Sequence, residues 1–430
     1  MRGKLSNGDA MRLISDLLDD GKKALFELSR ANRYFHLFWL LGPFFLLIER
    51  TPGDIYISTV ALAFIIRSLK KRDSAWLKFF WVKSIFIFWG VCLLSAILSP
   101  DPSYSIGEAF IWIRFPLFAM ASAFWLGADK RLLLLMLFST ASALLVMCGI
   151  LAAELAIEGF KTRLSWPYDD LVPGNYLTKV GLPVIVFSTA LSTSMRGSKA
   201  LLVGGFCLLV MGMTMMTGER INFLIMSCAS LLTIFIWEPS WKKRFLFIGL
   251  ISIFPVAISI LFSDVFNRYV IEFVYELPIY RGSHYYEAMA PAWLIFEQFP
   301  ILGIGPGNFR YLCADLVQPY MGYPHEFTQY LARRCYNHPH NFYLQILAEA
   351  GSLGLISAAI SIGSIISYCV KAKDAQWHIL SQTAWIIPFA LFWPIRSSAD
   401  FFGQWNNIFL WSAVALALAV AHVKPKDISK

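Results

Sequence analysis

Apolar residues in this chain come in long blocks separated by short polar stretches. Several blocks reach about 18–20 residues, enough for a helix to cross the hydrocarbon layer of a bilayer. Counting them predicts twelve spans, near residues 35–49, 54–69, 79–98, 107–127, 131–156, 175–194, 199–217, 221–237, 244–263, 343–370, 376–396 and 404–422. An even number places both termini on one side. The expected fold class is an all-α polytopic membrane protein of about twelve transmembrane helices.

Composition supports this reading. The chain has 430 residues, 57% hydrophobic and 15% charged, where a soluble globular protein carries about a quarter charged residues. Aromatics make up 16%, with 15 tryptophans, as interfacial belts require. The formal charge of +9 is dispersed over short loops, which gives no support to a nucleic-acid partner. Lys70, Lys71, Arg72, Lys130, Arg131, Lys242, Lys243, Lys371 and Lys424 fall on one set of loops, so that side and both termini are expected to be cytoplasmic.

The organisation follows. Residues 1–34 read as a charged, amphipathic cytoplasmic segment rather than a cleavable signal peptide. Residues 35–263 hold the first nine spans, 264–342 a large loop on the opposite side, 343–422 the last three spans, and 423–430 a cytoplasmic tail. The large loop is rich in proline. It holds a helical run over 284–299 and then the turn Gly303-Ile304-Gly305-Pro306-Gly307-Asn308. This is no dinucleotide fingerprint, because no strand precedes it. Five of the seven cysteines lie in apolar spans; Cys313 and Cys335 share the loop and are placed to pair if it faces an oxidising compartment.

The chemistry concentrates just before the tenth span, in Tyr336-Asn337-His338-Pro339-His340-Asn341-Phe342-Tyr343-Leu344. Polar side chains at a membrane boundary are costly and tend to mark function. An imidazole accepts a proton near neutral pH, and Pro339 restrains His338 toward an extended backbone. Two histidines that merely tie down a loop are the alternative. The H-x-H spacing also suits a metal, but no carboxylate cluster accompanies it. Arg220, Arg281 and Arg396 lie on the non-cytoplasmic side, with Arg114 and Lys179 within spans near that face. All run against the positive-inside bias, and arginine grips phosphate through a planar fork. Arg114 pairing with Glu108 or Glu154, and a snorkelling Lys179, are the structural alternatives. Asp101, Asp169, Asp170, Glu287 and Asp400 supply carboxylates on that side without forming a DxD pair. Glu349 either orients a histidine or packs against Gly351.

From Arg281 through Gly354 the motifs fall in a specific order: Arg281, Trp293, Phe299-Pro300-Ile301-Leu302-Gly303-Ile304-Gly305-Pro306-Gly307-Asn308-Phe309, His338-Pro339-His340-Asn341-Phe342-Tyr343-Leu344, and Glu349-Ala350-Gly351-Ser352-Leu353-Gly354. Together with the Thr217-Gly218-Glu219-Arg220 corner, this resembles the O-antigen ligase and polymerase superfamily. The resemblance implies a GT-C type fold in the bacterial inner membrane. It implies a glycan donor linked to undecaprenyl diphosphate and a lipid A-core acceptor, joined at the periplasmic face without cofactor or metal. It makes His338 the catalytic histidine and Arg220 and Arg281 the diphosphate-holding arginines. His340, Asn341, Glu349, Arg114 and Arg396 are expected in supporting places. The polymerase branch, a protein glycosyl ligase and a lipid-linked glycan transporter are the competing readings.

Overall fold

In the computed structural model, the described residues are 9–159, 163–168, 172–195, 197–238, 240–276, 284–372, 378–394 and 398–423. Among them every regular element is a helix, as lipid requires of backbone groups that have no water to bond. Among the described residues nine helices are long and apolar enough to cross a membrane, or ten if the pair Val172–Val180 and Leu182–Thr193, bent by 49°, is one span. The exact count of twelve is not reached by helices of that length among the described residues. The predicted span 35–49 is divided between Arg30–Leu40 and Gly42–Ile48, and 376–396 between His378–Thr383 and Ile386–Leu391. Each second half restarts with a proline in its first turn (Pro43, Pro388), where a missing N–H is tolerated but the preceding helix is not continued. Apolar counting cannot see a break of that size.

The Gln404–His422 helix is the axis of the bundle, with 83% of its apolar window buried, against 11% for Arg244–Leu261. Ala413, Ala415, Ala417 and Ala419 are each at most 1% exposed. Small side chains let helices approach where lipid tails remove any hydrophobic drive to associate. The amphipathic helix Asp9–Glu27 packs Ala24 and Leu25 on Leu132, and Arg131 binds Glu27 at 2.8 Å. The helices Phe342–Val370 and Gln404–His422 meet at their far ends through Tyr368 Oη and His422 Nδ1, 2.6 Å apart. Their beginnings bear the chemistry described below.

Two sequence motifs prove to be one structural unit. The long helix Phe342–Val370 is interrupted at Gly351, whose φ of 66° leaves the helical region. The turn after Pro300 docks into that break. Ile304 N–H donates to Ala348 O at 2.9 Å and Gly305 N–H to Glu349 O at 2.8 Å. Ser352 N–H donates to Pro300 O at 2.8 Å and Leu353 N–H to Ile301 O at 3.2 Å. Backbone groups freed by the kink are thus satisfied by the turn, as groups buried at membrane depth must be. From Phe309 a small helical cap continues: Phe309–Val317 and His325–Ala332 pack with His284–Gln298 around Ile295, Ile304, Phe309, Val317 and Leu331. A disulfide joins Cys313 to Cys335, with Cα atoms 5.7 Å apart, and tethers the strand of chain entering His338.

Candidate active site

Asn341 fixes the histidine segment. As N-cap of Phe342–Val370 its side-chain oxygen accepts from Tyr343 N–H at 3.0 Å and Leu344 N–H at 3.1 Å. Its amide donates to Pro394 O at 3.2 Å. His340 takes a left-handed backbone (φ 53°), uncommon for a residue other than glycine. Its carbonyl accepts from Ser398 N–H at 2.7 Å. The chain before the tenth predicted span is therefore clamped against Pro394 and Ser398, and His338 and His340 pack at a tilt with ring centroids 4.3 Å apart.

Behind the pair runs a polar network. Arg310 binds Asp400 at 2.6 Å. The Gln345 amide donates to Asp400 Oδ1 at 2.6 Å and to Glu349 Oε2 at 3.2 Å. Glu349 in turn accepts from Phe309 N–H at 2.9 Å. Glu349 thus orients no histidine. It ties the docked turn to the base of the site, which serves the same geometry from further back.

Arg220 begins the helix Arg220–Trp237, where the helix dipole adds to its own charge for an incoming anion. Its guanidinium contacts Glu272 at 2.7 Å, and Arg268 reaches the same carboxylate oxygen at 3.5 Å. Arg268 is presented by the π-helical turn Asn267–Ile271 and also donates to Gly218 O at 2.6 Å.

These elements enclose a cavity of about 740 Å³ that holds His338, His340 and Arg220 together. Arg50, Arg163, Lys179, Arg268 and Arg310 add to its positive wall; Glu108, Glu219 and Asp400 are its carboxylates. The balance is cationic. Nε2 of His338 is buried and has no hydrogen-bond partner among the described residues. Burial, then the neighbouring His340, push the His338 imidazole down to about 4, against the pull of Asp400. Burial lowers His340 as well. Burial therefore favours the neutral form of both rings at physiological pH.

Arg114 departs from expectation. It does not line the cavity but pairs with Asp54 at 2.7 Å. Asp54 lies just past the first turn of the neighbouring span Arg50–Lys71, a partner that sequence spacing did not single out. The expected Arg281 and Arg396 lie outside the described residues. Sequence reasoning passed over Arg50, Arg163, Arg268, Arg310 and Asn406. Arg268 and Arg310 carried the same signal as Arg220, basic residues on the side where positive charge is scarce.

A bundle of helices long and apolar enough to cross a membrane, with a large basic cavity among its described residues, defines a multi-pass membrane protein with a polar site. Residues 205–359 match the family model described as O-antigen ligase. The match takes in Arg220, the docked turn, His338 and Gly351, while Lys179, Asp400 and Asn406 lie outside it. No curated protein matches the chain.

Proposed function

We propose that this protein is an O-antigen ligase. It transfers a polysaccharide from undecaprenyl diphosphate to lipid A-core at the periplasmic face of the bacterial inner membrane, with both termini cytoplasmic. The observation that carries the reading is the unpartnered Nε2 of His338 in one chamber with Arg220. The bias of basic residues toward the opposite loops supports the orientation, and so does the Cys313–Cys335 disulfide, a bond of oxidising compartments.

In this mechanism Nε2 of His338 accepts the proton of an acceptor hydroxyl. The oxygen attacks the anomeric carbon of the donor's first sugar from the face opposite the diphosphate. The new C–O bond forms as the sugar–diphosphate C–O bond breaks, with inversion, and undecaprenyl diphosphate leaves with the electron pair. Arg220, with Arg281 as its expected companion, holds the charge growing on the leaving oxygens. Preorganised cations aimed where charge develops are commonly the largest catalytic contribution, and here they do what a divalent metal does elsewhere. The test is purified protein reconstituted with lipid-linked glycan and core-lipid A in EDTA. Ligation at the rate seen without chelator is expected, and its abolition by EDTA sinks the metal-independent mechanism. A deletion strain separates the branches: bare core-lipid A with accumulated lipid-linked polymer marks a ligase, core capped by a single unit a polymerase.

The donor diphosphate competes with Glu272 for Arg220, so two substitutions should act in opposite directions. Arg220→Gln is expected to lower kcat/KM by about 10²-fold or more, as loss of one donor to a developing anion does. Glu272→Gln, which removes a half-exposed competitor, is expected to lower KM for the donor about two- to fivefold. Steady-state transfer rates at varied donor concentration measure both.

A further inference from the structure

Asn406 lies in the first turn of the Gln404–His422 helix and is 5% exposed. Its Oδ1 accepts from Lys179 Nζ at 2.5 Å. An ammonium group only donates, so the amide oxygen must face the lysine and Nδ2 must face away. Lys179 also donates to Asn175 Oδ1 at 2.6 Å, and the Asn175 amide donates to both oxygens of Glu219 at 3.2 Å. A hydrogen-bonded chain, with Lys179 donating both ways, therefore links a carboxylate beside Arg220 to Asn406. There it ends on an N–H donor with no partner among the described residues. All four side chains line the cavity. A buried donor left unmet is costly, and the cavity that Asn406 lines is the side from which an acceptor would come.

The chemistry of that acceptor is constrained. An anionic oxygen has arginines to choose from, whereas a neutral amide N–H suits a hydroxyl, ring or carbonyl oxygen. Trp405, next in sequence, also faces the cavity with its ring 4.9 Å from that of Phe409. A fixed indole gives a flat apolar surface beside the polar donor, the combination that recognises an amphipathic ring. Because Glu219 adjoins Arg220, the chain ends within the same chamber as the proposed diphosphate seat.

We infer that Asn406 and Trp405 form the subsite for the donor's first sugar, the ring attached to the diphosphate, with Lys179 and Asn175 holding the Asn406 amide in its donating orientation. This rests on the proposed transfer from a lipid-linked glycan and adds the residues that read the sugar.

The test measures binding, not turnover. Full-length protein in nanodiscs is titrated with bare undecaprenyl diphosphate and with the undecaprenyl-diphosphate-linked glycan extracted from cells that make it. Wild type should bind the glycan-bearing lipid about tenfold more tightly. Asn406→Leu removes the donor without adding charge. Asn406→Asp keeps an oxygen for Lys179 while turning the donor into an acceptor, and decides the matter should the leucine variant not fold. In either folded variant the glycan-dependent ratio of the two affinities should fall to about one, and in Asn406→Leu the affinity for the bare lipid should stay within about twofold. An unchanged increment, or a parallel loss for both lipids, overturns the inference. His338→Ala serves as reference: it should keep the increment, and if it also keeps transfer, the proposed catalysis fails while the sugar subsite stands.

Discussion

Replacing His338 with alanine is expected to lower kcat/KM for transfer by about 10²–10⁴-fold, the range a positioned general base contributes, with donor affinity little changed. The expectation follows from three features together. The ring is set by a capped helix start and a backbone clamp. Its Nε2 has no partner among the described residues. Burial favours the neutral form of both histidines. Retention of wild-type transfer by His338→Ala in the reconstituted reaction would falsify the mechanism.

The pH dependence sharpens the prediction, because the His338 pKa is pushed down to about 4, first by burial and then by His340. The active form is the neutral imidazole, and kcat/KM reports the free enzyme. It should therefore stay level from about pH 7.5 to 5 and fall only as the pH approaches 4, where an exposed histidine would already decline near 6.5. In the complex the donor's negative charge favours imidazolium, so the inflection in kcat should lie at higher pH than that in kcat/KM. Stability moves in the same window. Between about pH 6.5 and 4 the unfolded chain binds a proton at this position that the folded chain does not, so the fold weakens as the pH drops. Initial rates on freshly diluted protein separate that loss from titration of the base. An inflection in kcat/KM near 6.5 would assign the proton to an exposed group instead.

The spans and the histidine segment were legible because both obey local rules. A helix in lipid must be apolar over its whole length, and polar residues at its end stand out against that background. The cavity was only half legible. Arg220 and His338 announced themselves by sign and place, yet nothing local says that they share a chamber 118 residues apart in the chain with Arg310 and Asp400. Asp400 was visible as one carboxylate among five on its side; its partners Arg310 and Gln345 come from two distant elements. Asn406 looked like an ordinary polar residue near a helix start. Its meaning lies in an orientation set by Lys179, which the sequence offered only as a charge in an apolar span. Arg114 shows the converse. Depth within a span was read as closeness to the site, whereas helix rotation turned it to Asp54.

Gly351→Ala is expected to be the most damaging conservative change in the chain, though it touches no substrate. At φ 66° and ψ −166° the residue occupies a region essentially reserved for glycine, worth about 1–3 kcal/mol of strain for any other residue. Space is also lacking: an added Cβ would lie 2.2 Å from the Ile301 carbonyl oxygen and 2.3 Å from its carbon, both backbone atoms that cannot swing aside. Relief requires the turn to leave the kink. That strands the Ala348 carbonyl, leaves the Glu349 carbonyl with Ser95 Oγ alone, and releases Phe309 N–H from Glu349. Because Glu349 and Asp400 both bind the Gln345 amide, loosening the turn reaches the wall behind His338. The expected result is a sharp loss of folded protein in detergent, by fluorescence-detected size exclusion, and a thermal midpoint several degrees lower in what survives. Gly363→Ala is the control, a glycine in the same helix where an added Cβ meets nothing within 4 Å; it should behave as wild type. Equal behaviour of the two variants would mean that the turn and the kink do not support each other, and that the histidine segment is held by its cap and by Pro394 and Ser398 alone.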